Sequence, residues 1–222
     1  MPQDGIKMIY TRMDNEGNIV NSEEVYYSGS RFYSKDYPNY TASQELYGEW
    51  SVLASLSSVI LYHRPFCVVE LGAGDSTHIL AQAAERFNVD FYSVDVKPSK
   101  KISCKGKYTF YLGDIKDFMK SFNDTPAIVL IDANHEYDIA KEEFRFFFEK
   151  LVEGGVIFLH DTYPPHERAL ANDACSDVFR LRKDIEKMDK NLLDVFTWPY
   201  TAKWSGLTMV IKKEKERPFW GL

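Results

Sequence analysis

Phe66-Cys67-Val68-Val69-Glu70-Leu71-Gly72-Ala73-Gly74-Asp75-Ser76-Thr77 is the stretch on which the fold turns. Its first half, Phe66 to Leu71, is an apolar run broken only by Glu70, the pattern of a strand buried on both faces of a parallel sheet. Its second half sets two glycines one residue apart, so the backbone can turn sharply and approach a ligand. A helical pattern, Thr77 to Phe87, follows at once and offers free N–H groups at its start.

Outward from this stretch, strand and helix patterns alternate. Strands are predicted at Asp90 to Val94, Tyr108 to Leu112, Ala127 to Ile131 and Val156 to Leu159. Helices are predicted at Ile115 to Phe122 and at Tyr137 to Leu151, the latter turning Phe144, Phe147, Phe148 and Leu151 inward. A helix near Val178 to Met188 and two closing strands, Leu193 to Thr197 and Leu207 to Lys212, complete the set. Such alternation implies an α/β fold, a doubly wound, mostly parallel, seven-stranded sheet with helices on both faces.

Upstream, Ser43 to Tyr62 spaces Leu46, Trp50, Leu53, Leu56, Val59 and Ile60 at helical intervals and stops at Arg64-Pro65. Residues 1–42 are polar and aromatic with turn signals at Asn15-Glu16-Gly17-Asn18 and Ser28-Gly29-Ser30, and read as a hairpin or irregular arm. The expected organisation is an arm or lid over 1–42 and one domain over 43–222. Between Tyr163 and Ala174 the chain is polar and contains prolines, an insertion where acceptor specificity would reside.

Composition excludes several classes. The formal charge of −6 leaves no basic footprint for nucleic acid, and the cluster Lys97 to Lys107 reads as a solvated loop. Three scattered cysteines, Cys67, Cys104 and Cys175, form neither a disulfide framework nor a zinc spacing. Neither a signal peptide nor a membrane-length apolar run is visible, so a soluble, cytoplasmic protein without membrane or nucleic-acid partners is expected. The aromatic arm and the tail Pro218-Phe219-Trp220 are surfaces on which a homodimer could form.

Two cofactor classes use a glycine loop after a first strand. A dinucleotide enzyme needs a third glycine where Thr77 stands, and Glu70 is a poor neighbour for a pyrophosphate. A carboxylate there suits a cationic amino-acid ligand. Acids recur at later strand ends: Asp95 in Ser93-Val94-Asp95, Asp114 in Leu112-Gly113-Asp114-Ile115, and Asp132 in Ile131-Asp132-Ala133-Asn134-His135-Glu136-Tyr137. Any one of them, like Asp75, reads equally well as a helix cap. Three at successive strand ends read as a site.

This ordered set, closed by the turn Leu151-Val152-Glu153-Gly154-Gly155, resembles class I S-adenosylmethionine-dependent methyltransferases over about 100 residues. Departures are Ser76 for the last loop glycine and Glu153 where proline is common. The resemblance implies that Glu70, Gly72, Ala73, Gly74, Asp75, Ser76 and Thr77 hold the methionine end of S-adenosylmethionine. It further implies Asp95 at the ribose, and Asp114 with Ile115 at the adenine, beside Asp132.

The Asp132-x-x-His135-x-Tyr137 run and His160-Asp161-Thr162 resemble small O-methyltransferases, a group with sugar and macrolide-sugar tailoring enzymes. That implies His135 as base and Asp132 as its catalytic neighbour. It also implies a divalent metal such as Mg2+ at Asp132, Asp161 and Thr162, with Thr162 replacing a stronger Asn or Asp ligand. His160 is expected behind Asp161, and Tyr137 either at the acceptor pocket or in helix packing. O-methylation of a small-molecule or saccharide acceptor is the expected activity. A nicotinamide-dependent oxidoreductase and a non-catalytic cofactor-binding protein are the rivals.

Overall fold

The computed structural model describes residues 6–13, 19–28, 31–33, 48–97, 106–162, 175–198 and 206–214. The insertion 163–174, the tail around 218–220, most of the lysine cluster (98–105) and much of the arm (34–47) lie outside the described residues. In chain order the elements are β1 (Ile6–Met13), β2 (Ile19–Ser28), β3 (Arg31–Tyr33), α1 (Gly48–His63), β4 (Cys67–Leu71), α2 (Ser76–Phe87), β5 (Phe91–Asp95) and β6 (Tyr108–Leu112). They continue as α3 (Ile115–Ser121), β7 (Pro126–Ile131), α4 (Tyr137–Lys150), β8 (Val156–His160), α5 (Cys175–Ile185), β9 (Leu193–Trp198) and β10 (Leu207–Lys212).

Two compact units divide the chain, Met1–Leu53 and Ala54–Leu222. In the first, β1, β2 and β3 form an antiparallel sheet, with a register shift between Arg12 and Met13. The second is built on a seven-stranded sheet of order β6-β5-β4-β7-β8-β10-β9. β4 pairs in parallel with β5 and β7, and β10 alone runs antiparallel, inserted between β8 and β9. The doubly wound, mostly parallel sheet expected from the alternation is therefore present.

Every residue of β4, β7 and β8 is buried, because helices cover both faces of the central strands. Alternate side chains of a strand point to opposite faces. Thus Val69, Leu71, Val129, Ile131, Ile157 and Leu159 join Phe118 of α3, Phe144 and Phe147 of α4, and Leu181 of α5 in one apolar cluster. Val68, Ile128, Leu130 and Phe158 are buried on the opposite face. Each such side chain removed from water contributes about 1.5–3 kcal/mol, so the centre of the sheet carries much of the fold's stability. Phe148, expected inward, is only partly buried and stacks on Phe144 at 5.5 Å.

The buried stripe of α1 runs through Leu53, Ser57 and Leu61, while Val59 is exposed. The sequence reading had Trp50 and Leu53 on this face but drifted from it at Leu56, Val59 and Ile60, because a small polar residue, Ser57, fills a fully buried position that periodicity assigns to an apolar one. At the far end of the sheet, Lys212 donates from Nζ to the carbonyls of Phe148, Glu149 and Leu151 at 2.9, 3.0 and 2.7 Å. A cation there satisfies the last orphan carbonyls of α4 and ties that helix to β10.

Glu143, also on α4, is a buried carboxylate neither of whose oxygens has a hydrogen-bond partner. Burial pushes its pKa up to about 8, the negative charges of Glu142 and Asp114 add to the rise, and Lys116 opposes it. The folded state therefore favours the neutral acid, and its stability contribution is lost as pH climbs from about 4.5 toward 8. Glu143→Gln should raise stability by about 2–3 kcal/mol at pH 8 and change it little near pH 4.5. Urea unfolding of both proteins across that range measures it. A gap between them that stays constant with pH would contradict the assignment.

Candidate active site

The carboxyl ends of β4, β5, β7 and β8 come together where the strand order reverses, the position at which open α/β sheets bind ligands. Gly72 makes the first join. It has φ +91°, and a Cβ at this position would lie 2.2 Å from the carbonyl oxygen of Asp132. Only glycine tolerates both the left-handed backbone and that contact. Gly72 N–H donates to Val94 O at 2.8 Å and Asp132 N–H to Leu71 O at 2.9 Å, so three strand ends are pinned together. Gly74 differs. A Cβ there would meet nothing within 4 Å, which leaves open space above the loop.

Glu70 is fully buried, and its two oxygens accept from Ser76 Oγ at 2.5 Å and Ser93 Oγ at 2.6 Å. Burial pushes its pKa up to about 7, against the hydrogen bonds from Ser76, Ser93 and Thr77. Reading Glu70 as a surface that grips the methionine end needs correction: it braces the loop from beneath, joining β4, α2 and β5. The sequence signal was Ser93, a hydroxyl inside an otherwise apolar strand. Thr77 is also buried, and its Oγ1 accepts from Gly74 N–H at 2.9 Å.

Asp95 Oδ2 accepts from Ala73 N–H at 3.0 Å and its Oδ1 from Lys97 N–H at 2.7 Å, so the acid at the end of β5 also steadies the glycine loop. Asp114 caps α3, accepting from Lys116 N–H at 2.7 Å, and Ile115 packs on the core. Asp75 is exposed and makes no side-chain cap bond to α2. Val96 and Leu112, 68% and 59% exposed, stand beside Asp95 and Asp114 as bare apolar surface. Sequence reasoning missed both, although large apolar residues beside acids at strand ends were a usable signal. Such surface suits a flat ring.

At the ends of β7 and β8 four side chains converge. Single ligand atoms of Asp132, His135 and Asp161 lie within 4.8 Å of one another. His135 Nε2 is buried and lies 3.0 Å from Asp161 Oδ2, an ion-pair distance. His160 Nδ1 lies 3.0 Å from Asp132 Oδ1 and 3.5 Å from Asp161 Oδ1. His160, expected behind Asp161, thus sits closer to Asp132. Asp161 has φ +58°, a left-handed conformation that costs a non-glycine residue about 1–3 kcal/mol and marks functional turns.

Electrostatics follow from this crowding. The Asp161 carboxylate raises the His135 pKa above its ordinary value, against the opposing effect of burial. Burial alone would raise the Asp161 carboxyl, but the two imidazoles beside it hold it well below the usual range. Thr162 takes no part. It is fully buried, with Oγ1 2.7 Å from Thr208 Oγ1 and donating to Gly206 O at 3.4 Å. Its expected place among metal ligands is corrected: the chain turns at Asp161, and the next side chain faces β10. Tyr137 belongs to helix packing, its hydroxyl on Asp184 at 2.7 Å and its ring under Arg180 at 4.3 Å.

The donor set fits a divalent cation. Two carboxylates and an imidazole converge there, oxygen and nitrogen donors of the kind that hold divalent ions. The glycine loop likewise fits a ligand, given the open space at Gly74 at the start of α2. Among the described residues no helix is long and apolar enough to cross a membrane.

Comparison with known proteins bears on the fold that positions this site. Residues 69–162, from β4 to the turn after β8, match the family model described as a methyltransferase domain. No curated protein matches the sequence. Among solved structures, the O-methyltransferase TomG from Streptomyces achromogenes, in complex with S-adenosylmethionine, is similar at TM-score 0.57 and 16% identity, over 81% of this chain and 84% of that one. The O-methyltransferase from Bacillus cereus, in complex with S-adenosylhomocysteine, reaches TM-score 0.53 and 14% identity over 73% and 81%. MycE methyltransferase of the mycinamycin biosynthetic pathway, in complex with Mg and S-adenosylhomocysteine, reaches 0.56 and 14% over 82% of this chain but 53% of its own. The seven-stranded unit has the class I methyltransferase fold.

Proposed function

We propose that this chain, an enzyme whose residues 69–162 form a methyltransferase domain, transfers the methyl group of S-adenosylmethionine to a hydroxyl of a small-molecule or sugar-like acceptor. One observation carries the reading. Gly72 packs directly on the Asp132 backbone, so the ligand-cradling loop and the Asp132, His135 and Asp161 cluster share one edge of the sheet.

When bound, the cofactor supplies a methyl carbon on a sulfonium, and attack requires the acceptor oxygen in line behind it. The loop from Gly72 to Thr77, braced by Glu70, would hold the amino-acid end. Asp95 and Asp114 would address the ribose and adenine, with Val96 and Leu112 as apolar platforms. His135 takes the hydroxyl proton as the oxygen–carbon bond forms and the sulfur–carbon bond breaks. Asp161 then stabilises the imidazolium from 3.0 Å. Asp132 and Asp161 would hold a divalent ion, which when bound would lower the acidity barrier of the hydroxyl.

Calorimetric titration with S-adenosylhomocysteine, with NADH as control, tests the cofactor. Saturable binding of the first alone is expected; binding of NADH, or of neither, would sink the reading. Repeating the titration after EDTA treatment, with and without added Mg2+, isolates the metal.

A further inference from the structure

Two stripes run along α5. Val178, Leu181 and Ile185 are buried and seat the helix on the core. One residue earlier on each turn stand Asp177, Arg180 and Asp184, and all three fall on a single residue of α4, Tyr137. Steps of three and four residues along a helix place such groups on one face. Tyr137 N–H donates to Asp177 Oδ2 at 3.2 Å, and its hydroxyl donates to Asp184 Oδ2 at 2.7 Å. Its ring centroid lies 4.3 Å from Arg180 Cζ, and Arg180 in turn faces Asp177 Oδ1 at 3.6 Å.

What precedes Tyr137 gives this clamp its meaning. Tyr137 is the first residue of α4, and Glu136, at the cap position, makes no side-chain capping bond. A helix start leaves N–H groups without intrahelical partners, and here a carboxylate from another helix, 40 residues on, accepts from one of them. The short connection from Asp132 to Tyr137 carries His135. At its near end Asp132 N–H donates to Leu71 O at 2.9 Å, and within it Glu136 N–H donates to Asn134 Oδ1 at 2.8 Å. With both ends fixed, the middle of so short a connection has few conformations left.

We infer that Asp177 is a positioning residue. By fixing the far end of the connection it holds the His135 imidazole 3.0 Å from Asp161 and in reach of the acceptor proton. The inference rests on His135 as the base proposed above, and goes beyond it by naming a group on α5 through which the rate is set. The Arg180–Asp177 pair is exposed and contributes little by itself, so the bond from the Tyr137 amide to the Asp177 carboxylate carries the effect.

The test uses the purified full chain, with S-adenosylhomocysteine binding as the check that each variant is folded. In Asp177→Ala the Tyr137 amide loses its acceptor; in Asp177→Asn the side-chain amide oxygen replaces it and only the charge is lost. On an acceptor found by screening phenols and sugars, Asp177→Ala should lower kcat by about 10- to 100-fold with KM little changed, since a displacement of about 1 Å can cost that much. Asp177→Asn should recover most of the rate. Because Asp177 acts through His135, adding Asp177→Ala to His135→Ala should cost less than about twofold more. The 13C–1H cross-peak of the His135 imidazole, identified by its loss in His135→Ala, reads position without turnover. It should move in Asp177→Ala and keep its place in Asp177→Asn.

A cross-peak that keeps its place in Asp177→Ala, or rate losses that multiply in the double variant, would overturn the inference alone. Full turnover in His135→Ala would overturn the base assignment and the inference with it, leaving the cofactor reading intact.

Discussion

His135→Ala should lower the turnover number by about 10²- to 10⁴-fold, the range a positioned proton acceptor contributes, and leave the affinity for S-adenosylhomocysteine within about threefold of wild type. The expectation follows from the place of His135 in the loop between β7 and α4, outside the glycine cradle, with Nε2 3.0 Å from Asp161 Oδ2. A hydroxyl acceptor identified by screening phenols and sugars with the wild-type protein supplies the assay. Loss of rate through kcat, with KM for the acceptor little changed, is the signature of a transition-state role. Unaltered turnover would remove His135 from the chemistry. Collapse of cofactor affinity would instead mean that it shapes the fold of the site.

Gly72→Ala should be the most damaging single methyl group in the domain. The new Cβ would have to lie 2.2 Å from the Asp132 carbonyl oxygen on a backbone held at φ +91°. Neither partner can yield, since both belong to strand ends pinned by hydrogen bonds of 2.8 and 2.9 Å. A loss of about 3 kcal/mol or more is expected, roughly 6–12 °C in Tm for a chain of this size, with no measurable binding of S-adenosylhomocysteine. Gly74→Ala is the matching control. Its Cβ meets nothing within 4 Å, so Tm should stay within about 2 °C while ligand affinity falls. Equal thermal stability of the two variants would show that the close approach at Gly72 does not constrain the loop.

The contrast between these glycines marks where sequence reading stops. Gly72-Ala73-Gly74 shows two permissive residues, but only the approach of β7, about sixty positions later, makes the first indispensable and leaves the second facing open space. Glu70 is a similar case. Its position before the loop suggested contact with a cationic ligand; Ser76 and Ser93 instead enclose it, and although Ser93 stands out in its strand, only the pairing of β4 with β5 brings it to Glu70. Thr162 was assigned by its position beside Asp161. The left-handed turn at Asp161 broke strand alternation there and sent the hydroxyl to Thr208.

By itself the sequence determined the α/β class, the seven strands, and the strand ends on which acids and histidines would stand. Local periodicity and turn chemistry carry that information, because an apolar run bounded by glycines can be buried in few other ways. Tertiary structure alone decided the insertion of antiparallel β10 between β8 and β9. It alone decided the closure of His160 on Asp132 across 28 residues, and which of two adjacent residues, Asp161 or Thr162, faces the site. Those outcomes depend on register between strands and on a single backbone dihedral, and a shift of one residue sends a side chain to the opposite face of the sheet.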